Sequence, residues 1–526
     1  MKKLRLLALL AVMGFSLNLP AQIQLVKDIN PSGSSSPDYF IEYNGKLFFT
    51  ANDGIHGREL WMTNGTSAGT ELLKDINPVG SSMPFRLTKC NGKLFFTATD
   101  NLYGDKLWVT DGTATGTQLV KDINPSGNSF SHDITKYNGK IYFRADDGVN
   151  GSQLWTSDGT SEGTQMVKKI NPGGNARPSG FTRYNEKLYF RATGVLGRAL
   201  WVIDGTTLGT YMVKNIDPSD DHSIEELYVF KGKLYFRAND GVNGRELWVT
   251  DGTAAGNQLV KNINPSGDAN PIHFTEYNGK LYFQADDGIN GAELWVTDGT
   301  TLGTHLVKDI NPVSNSAPRG FTEYNGKLYF SAYDGTHGNE LWVTDGSESG
   351  NYMVKDINPD GHSSPKNFTV YNGKLYFHAY NAHGNHLWVT DGTAAGTHII
   401  APDIFNTADA GEDMIVYNNS LYFQAIYDGG IGYELYKYTA PDLGIKTVTK
   451  NPAIAVYPNP ASGIIKVELP FVGKANYIIT DIQGRVLQTG ITGNDMPVNV
   501  GTLAPNPYLL TIERDGQKFT TKFIVE

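Results

Sequence analysis

The chain has 526 residues, a formal net charge of −10 and a single cysteine. This length exceeds what one core needs, so several domains or one large repeat array is expected. The acidic charge, without long runs of one sign, argues against nucleic acid or an anionic membrane surface as a partner. The lone Cys90 excludes an internal disulfide, and 59 glycines with 11% aromatic residues are typical of an all-β protein.

Residues 1–22 are predicted to be a secretory signal peptide. Lys2, Lys3 and Arg5 precede an apolar run that ends in small or polar residues near Ala21. The run is too short and wrongly flanked to span a membrane, and no other stretch is long enough to do so. We therefore expect an extracellular protein, released or attached to the cell surface, without a membrane-spanning segment.

Residues 23–440 consist of nine copies of one repeat. All eight tryptophans occupy the same place in successive copies, at spacings of 46 or 47 residues, and Tyr436 takes that place in the ninth. A second marker of the type Asn-Gly-Lys-Leu-Tyr-Phe also occurs nine times. A period of 40 to 50 residues with strand-like content predicts β-propeller blades.

Each copy predicts four strands, which we call the first to the fourth. An Asn-Gly turn joins the first strand to the second, because both turn positions need positive φ. Alternation along the second strand of the sixth copy puts Leu281 and Phe283 on one face and Tyr282 on the other. Both faces are apolar, so one copy cannot bury itself and the copies must stack.

The number of strands predicts how the array ends. The ninth copy lacks a fourth strand, and residues 23–29 repeat the sequence of the missing strand. We predict an all-β fold with a single β-propeller of about nine four-stranded blades, closed by the N-terminal strand. An open solenoid is the structural alternative.

Residues 441–452 are predicted to be a linker, and residues 453–526 a small β-sandwich, because strand-like runs alternate with Asn, Gly and Pro turns. Three segments carry a resemblance: Tyr457-Pro458-Asn459-Pro460, Asp481-Ile482-Gln483-Gly484-Arg485 and the final Lys-Phe-Ile-Val run. They resemble the C-terminal sorting domain of type IX secretion substrates of the Bacteroidetes. This family usually has a glycine before the tyrosine where the chain has Asn506-Pro507 before Tyr508.

The resemblance implies export across the outer membrane by the type IX machinery, removal of the tail, and release or attachment at the surface. The nine copies, with their Glu-Leu-Trp and Asp-Gly-Thr segments, resemble the ELWxxDGT repeat family. That second resemblance implies no particular activity.

Candidate binding residues are sought on one rim of the predicted propeller. The rim of Asn-Gly turns and Asp-Gly-Thr loops is uniform, whereas the opposite rim varies from copy to copy, and binding residues favour such loops. The acidic segment 217–226 and seven of the eleven histidines map to this variable rim. The candidates are Asp220, Asp221, His222, Glu225, Glu226, His337 and His383. The alternative is a solvated surface without function.

Metal sites have weaker support. Asp146, Asp147, Asp286 and Asp287 are weak calcium candidates in Asp-Asp-Gly-x-Asn-Gly loops, which lack the spaced carboxylates of a helix-loop-helix site. A turn capped by its own aspartate is the alternative there, and it is the interpretation for the Asp-Gly-Thr loops.

Two further patterns concern single side chains. His378 and His386 are predicted to be cross-strand neighbours, either a zinc site or a solvated pair. Arg237 and Glu246 are predicted to form a surface pair at the equivalent places of the fifth copy. Cys90 stands where other copies have tyrosine, and it is predicted to be a buried replacement.

Catalytic motifs are missing from the sequence. It has no nucleophile elbow, phosphate loop or metalloprotease helix, although its many carboxylates leave a glycosidase-like pair open. We expect a non-enzymatic binding or adhesion protein at the cell surface, with a glycan or protein ligand, many weak sites acting together and calcium as the one candidate cofactor. The alternatives are a polysaccharide-processing enzyme and a structural surface protein.

Overall fold

The computed structural model describes residues 22–102, 104–216, 224–402, 404–405, 414–427, 432–441, 454–469, 473–481, 485–493, 496–514 and 517–526. All regular secondary structure in these residues is β. The chain divides into two compact units, 21–440 and a smaller one that contains 441–526. The predicted signal peptide lies almost wholly outside the described residues, as does most of the predicted linker.

The larger unit contains nine sheets, numbered in chain order. Strand β1 is Gln22–Lys27. Sheets 1 to 3 are β2 (Asp38–Tyr43), β3 (Lys46–Asn52), β4 (Arg58–Thr63), β5 (Glu71–Lys74); β6 (Phe85–Cys90), β7 (Lys93–Asp100), β8 (Gly104–Thr110), β9 (Gln118–Leu119); and β10 (His132–Tyr137), β11 (Lys140–Asp146), β12 (Ser152–Ser157), β13 (Gln165–Lys168).

Sheets 4 to 6 repeat this order. They are β14 (Ser179–Tyr184), β15 (Lys187–Gly194), β16 (Gly197–Ile203), β17 (Tyr211–Lys214); β18 (Ile224–Phe230), β19 (Lys233–Asn239), β20 (Arg245–Thr250), β21 (Gln258–Lys261); and β22 (Ile272–Tyr277), β23 (Lys280–Asp286), β24 (Ala292–Thr297), β25 (His305–Lys308).

Sheets 7 to 9 complete the unit. They are β26 (Arg319–Tyr324), β27 (Lys327–Tyr333), β28 (Asn339–Thr344), β29 (Tyr352–Lys355); β30 (Lys366–Tyr371), β31 (Lys374–Asn381), β32 (Gly384–Thr390), β33 (His398–Ile399); and β35 (Ile415–Tyr417), β36 (Ser420–Tyr427), β37 (Glu434–Thr439) with β1. The short β34 (Ile404–Phe405) pairs with β32 and β36 and so joins sheets 8 and 9, which the sequence did not predict.

The hairpin between first and second strands has the predicted turn. In sheet 6, Tyr277 pairs with Lys280 across Asn278 and Gly279, whose φ angles are 47° and 66°. Two positive φ angles match the twist of the flanking strands, and asparagine and glycine adopt them at the least cost. The sequence therefore fixes the register of each hairpin.

Apolar side chains on both faces pack sheet against sheet. Phe283 and Trp295 of sheet 6 share a core with Leu247 of sheet 5. On the opposite face, Tyr282 shares a core with Phe330 of sheet 7. The predicted stacking is confirmed, and each sheet buries two faces that it could not bury alone.

Polar bonds between neighbouring sheets also repeat. The hydroxyl of Tyr277 donates to the carbonyl of Gly326 at 2.6 Å, and Nζ of Lys308 donates to the carbonyl of Asn351 at 2.8 Å. Cys90 takes the place of the tyrosine in sheet 2 and is 2% exposed, as predicted.

The last sheet contacts the first through the same set of bonds. Strand β1 pairs antiparallel with β37 and is the fourth strand of sheet 9, as the sequence predicts. The hydroxyl of Tyr417 donates to the carbonyl of Gly45 at 2.7 Å, and Nζ of Lys27 donates to the carbonyl of Thr70 at 2.7 Å. Val26 of β1 lies in one core with Leu47 of sheet 1.

The smaller unit contains two sheets. Its strands are β38 (Ala455–Tyr457), β39 (Ile464–Glu468), β40 (Ala475–Asp481), β41 (Val486–Thr492), β42 (Val498–Asn499), β43 (Asn506–Arg514) and β44 (Gln517–Val525). The orders are β38-β39-β42 and β41-β40-β43-β44. Ile465 and Val467 from the first sheet share one core with Ile479 and Leu510 from the second, which is the sandwich arrangement expected here.

Candidate functional site

The first strands of sheets 1 to 8 share an irregularity. Each has a register shift against its second strand, as between His132 and Thr135, and one residue there has a positive φ. These residues are Tyr39, Arg86, Asp133, Gly180, Glu226, His273, Gly320 and Asn367. We call them the left-handed row. A bulge re-aims a side chain, and non-glycine residues with positive φ concentrate at functional sites.

The row is continuous because first strands of neighbouring sheets contact each other. Nη1 of Arg86 lies 3.4 Å from Oδ1 of Asp133, its counterpart in the next sheet. One backbone geometry therefore presents a different side chain from almost every sheet.

Three arginines lie beside this row on consecutive sheets. Arg144, Arg191 and Arg237 occupy one register position on the second strands of sheets 3, 4 and 5, opposite His132, Ser179 and Glu225. We call them the arginine group. Their side chains are 26%, 25% and 16% exposed.

Two carboxylates are shared among the arginines. Asp133 lies 3.4 Å from Arg86 and 3.5 Å from Arg144. Glu225 lies 3.4 Å from Arg191 and also pairs with Arg237. Each carboxylate therefore bridges two neighbouring sheets.

Burial makes the arginine charges costly. It lowers the pKa of Arg144, and the charge of Arg86 lowers it further, while Asp133 acts in the opposite direction. Burial likewise lowers the pKa of Arg237, with the charges of Arg245 and Arg191 adding to the effect. An arginine stays charged at neutral pH, so this region holds several positive charges that repel one another.

A cavity of about 320 Å³ follows along the same row in sheets 6 to 8. It is lined by His273, Phe274, Thr275, Gly320, Phe321, Thr322, Asn367 and Phe368. Burial lowers the pKa of His273, and the nearby Glu226 carboxylate opposes this effect. The cavity therefore combines three phenyl rings with an imidazole and an amide, beside the arginine group.

The predicted binding residues have different outcomes. Glu225 and Glu226 lie on β18 at the arginine group, and Glu226 is exposed. Asp220, Asp221 and His222 lie outside the described residues. His337 and His383 are held within their own loops: Nδ1 of His337 lies 2.7 Å from Oδ2 of Asp334, which raises the pKa of the imidazole, and the amide of His383 donates to Asn381.

The side chains of the calcium candidates accept hydrogen bonds from within their own loops. Oδ1 of Asp147 accepts from the amides of Val149 and Asn150 at 3.0 and 2.6 Å, and Oδ1 of Asp146 accepts from Gly148. Burial opposes the ionisation of Asp147, but these hydrogen bonds outweigh it and hold its pKa below the usual value. Asp286 and Asp287 make the same bonds in sheet 6.

The Asp-Gly-Thr loops have the predicted self-capped turn. In sheet 6, Oδ1 of Asp298 accepts from both the amide and the hydroxyl of Thr300, at 2.8 and 2.7 Å. Within the described ranges, no three His, Cys, Asp or Glu side chains are grouped so that they could hold a metal ion.

The prediction of a solvated His378–His386 pair is wrong. Both side chains are 1% exposed. His378 pairs with Leu387 and His386 with Ala379, so the two imidazoles face opposite sides of the sheet. Burial lowers the pKa of His378 to about 3. Because the two side chains point to opposite faces of the sheet, they cannot bind the same zinc ion.

The predicted surface pair of Arg237 and Glu246 is also wrong. Glu246 is fully buried, lies opposite Ala238, and accepts from the amides of Ile263 and Asn264 at 2.9 and 3.0 Å. In sheet 6, Glu293 accepts from the amides of Ile310 and Ser316, both at 2.9 Å.

Five sheets have a buried glutamate of this kind, which was not predicted from the sequence. These buried glutamates are Glu59, Glu246, Glu293, Glu340 and Glu434. Each holds the connection that leads into the next first strand, and so positions the left-handed row. Burial raises the pKa of Glu293 to about 7, although hydrogen bonds from Ser316 oppose it. The available signal was the recurring Glu-Leu-Trp segment, followed 23 residues later by serine in three copies.

The smaller unit brings two of its three sequence motifs into contact. Oδ1 of Asn459 accepts from the amide of Ile524 at 2.9 Å, so the Tyr-Pro-Asn-Pro segment is hydrogen-bonded to the final strand. The amide and Nε of Arg485 donate to the carboxylate of Asp481 at 2.9 and 2.6 Å. Residues 455–526 match the secretion system C-terminal sorting domain.

The sorting tail implies secretion to the cell exterior or surface through the type IX machinery. No helix among the described residues has the length and hydropathy needed to cross a membrane. No curated protein matches the chain.

Solved structures similar to the chain include propellers and peptidases. A puromycin hydrolase is 14% identical over 76% of this chain, with a TM-score of 0.37. One structure from a study of two prolyl endopeptidases is 12% identical over 76%, with a TM-score of 0.38. The β-propeller domain of the Trilobed protease from Pyrococcus furiosus is 11% identical over 59%, with a TM-score of 0.32, and 95% of that domain is covered.

These matches correct one expectation. The chain spans 60% of the puromycin hydrolase and 55% of the prolyl endopeptidase. Because such structures are among its matches, the expectation that the chain is not an enzyme is contradicted and is withdrawn. Likeness at this level assigns no reaction to the chain.

Proposed function

We propose that the protein is a secreted binding protein that captures a surface glycan or protein through the left-handed row. The observation that carries this proposal is the row itself. Eight residues at one bulge position present seven kinds of side chain on one repeated backbone. Loops and irregular segments that vary on a constant scaffold are where binding residues concentrate.

The proposal includes a closed, nine-bladed propeller in residues 23–440. Sheet 9 and sheet 1 share the tyrosine and lysine bonds found between consecutive sheets, and closure would leave no end sheet with an apolar face in solvent. It also includes a signal peptide in residues 1–22, a linker in 441–452 and removal of the sorting tail after export.

The cavity in sheets 6 to 8 supports a binding role. Its volume of about 320 Å³ lies at the lower end of ligand pockets, which combine apolar walls with a few polar groups. Phe274, Phe321 and Phe368 supply apolar surface, and His273 and Asn367 supply hydrogen-bonding groups. We place ligand contacts at this cavity and the adjoining arginine group.

The test is a screen of the full chain on glycan and envelope-protein arrays, with analysis of each bound ligand for products of turnover. Asn367→Tyr fills the cavity with a side chain that sheet 1 already carries at this position, as Tyr39. We expect it to weaken binding at least tenfold. The control, Ala395→Tyr, changes an exposed residue in the Asp-Gly-Thr loop of the same sheet and should leave binding within twofold of the native chain.

Two results would contradict this proposal. One is a chain that binds nothing on either array, which would favour a structural role at the surface. The other is a ligand whose affinity Asn367→Tyr does not change, or which Ala395→Tyr weakens as much.

A further inference from the structure

We propose that the arginine group binds the acidic groups of a carboxylated or sulfated saccharide. This inference rests on the proposed function and names its ligand class. Its basis is the placement of three guanidinium groups at one register position on three consecutive sheets.

The charges at this site do not cancel. Arg86 and the arginine group bring four positive charges, whereas Asp133 and Glu225 supply two negative ones. Glu226 adds one more carboxylate nearby, and it acts on the pKa of Arg191. Arg177, which is exposed, adds a positive charge that acts on the pKa of Arg144. Among the described residues of this site, positive charges therefore outnumber negative ones, in a chain whose net charge is −10.

Holding the sheets together does not require this arrangement. The other six sheets carry uncharged groups or histidine at the same register: Thr50, Thr97, Gln284, Ser331, His378 and Gln424. Sheets 6 and 7 have no arginine at this register and still make the tyrosine and lysine bonds to the next sheet that sheet 3 makes to sheet 4. The arginines are therefore additional to the repeated scaffold.

Guanidinium groups are suited to carboxylate and sulfate. Arginine has five N–H donors in a planar fork that can bind two oxygens at once. Nε of Arg237 is buried and has no hydrogen-bond partner among the described residues. Arg191 directs Nε to the hydroxyl of Ser179 at 2.9 Å and Nη1 to Glu225. An incoming anion would offset the repulsion among these partly buried charges.

The mixture of charges favours a saccharide over other anions. Asp133, Glu225 and Glu226 are acceptors for sugar hydroxyls beside the donors for an acidic group. A nucleic acid, with a phosphate on every unit, would place negative charge against these carboxylates. Gly180 stands at the row position between Asp133 and Glu226 and is exposed, which leaves space for a ring. Export to the cell exterior places the site where such polymers occur.

The test uses the full chain and titration calorimetry with three polymers: polygalacturonate for carboxylate, dextran sulfate for sulfate, and dextran as the neutral arm. The variant R144Q/R191Q/R237Q places glutamine where sheet 6 already has Gln284. We expect at least a tenfold loss of affinity for the acidic polymer that binds, and a weaker dependence on salt. The polymer that binds shows whether the site recognises carboxylate or sulfate.

The matched control removes the same charge from the other end of the same strands. K140Q/K187Q/K233Q changes the first residue of the second strand in sheets 3, 4 and 5. It should keep affinity within twofold, and circular dichroism melting should show that both triple variants are folded. Equal losses in the two variants would indicate general charge attraction and overturn the inference.

The remaining outcomes separate the two proposals. Unchanged affinity in the arginine variant, or failure to bind either acidic polymer, overturns the inference. If Asn367→Tyr still abolishes binding of a neutral glycan or protein, the proposed function stands although the inference about the arginine group fails. If no ligand depends on either site, both fail.

Discussion

The interior of the sheet stack and the left-handed row obey different rules within one repeat. In the interior, most sheets place the same tyrosine, lysine and tryptophan in the same contacts. At the row, the same backbone carries Asp133, Gly180, Glu226 and His273 in turn. The interior contacts are those that the fold requires, whereas the row is where side chains can vary without disturbing those contacts.

This difference separates stability from binding. A change in the interior should lower stability by a similar amount in every sheet and spare the ligand site. A change in the row should alter binding and leave stability nearly unchanged.

The largest effect should come from buried charge at the junction of the last and first sheets. V26D/I29D places two carboxylates in the core shared by sheets 9 and 1. We expect a loss of about 4 kcal/mol or more in the free energy of unfolding, because a buried unpaired charge is costly. The measurement is the urea midpoint of the full chain.

The matched variant is V354D/I357D, at the equivalent places of sheet 7. Equal losses would show that the junction is packed like an internal one. A loss at the junction well below that in sheet 7 would contradict closure.

A smaller loss should follow removal of one buried glutamate. Glu293→Ala leaves the amides of Ile310 and Ser316 without their acceptor, at a cost of about 2–4 kcal/mol in the free energy of unfolding. Glu293→Gln should lose less, because Gln153 occupies this place in sheet 3 and accepts from Ile170. Urea unfolding distinguishes the two, and equal losses would count against the hydrogen-bond account.

The buried glutamates also predict a pH effect. Burial raises the pKa of Glu246, Glu293 and Glu340 to about 7, from an ordinary value of 4.5. A raised folded pKa means that the stabilisation is complete below pH 4.5 and is lost as pH rises through 7.

Between pH 5 and 8, the melting temperature of the native chain should therefore fall further than that of E246Q/E293Q/E340Q, by roughly 3 °C for each of the three carboxyls. Calorimetric scans of both proteins at matched ionic strength provide the measurement. Parallel pH profiles would mean that these carboxyls are ionised throughout.

The smallest effect should be a gain in binding. Gln284→Arg extends the arginine group from sheet 5 into sheet 6 at the same register. One added, partly exposed charge pair should tighten binding of the acidic saccharide about fivefold. Gln424→Arg at the same register in sheet 9, away from sheets 3 to 5, is the control and should change the affinity less than twofold.

The sequence predicts most of the scaffold because the relevant signals are local. Alternation along the second strand places Phe283 and Tyr282 on opposite faces, and Asn278-Gly279 sets the hairpin turn. Counting strands places β1 beside β37. Repetition makes each of these signals visible nine times over.

The buried glutamates, the left-handed row and the arginine group are harder to predict from the sequence. Glu246 is at the start of a strand, where a carboxylate is usually solvated, and it is buried because a connection 17 to 18 residues later folds over it. The left-handed bulge is equally difficult to predict, since Tyr39, Arg86 and Glu226 are residue types that rarely adopt a positive φ. The arginine group was visible in the sequence, after Phe143, Phe190 and Phe236, but its grouping depends on the stacking of three sheets.

A crystal structure of the full chain with an oligogalacturonate tests the central claim most directly. The account predicts uronate carboxylates within hydrogen-bonding distance of Arg144, Arg191 and Arg237, with the saccharide running along the left-handed row. An oligosaccharide bound instead to the Asp-Gly-Thr loops, with the arginine group unchanged, would contradict it.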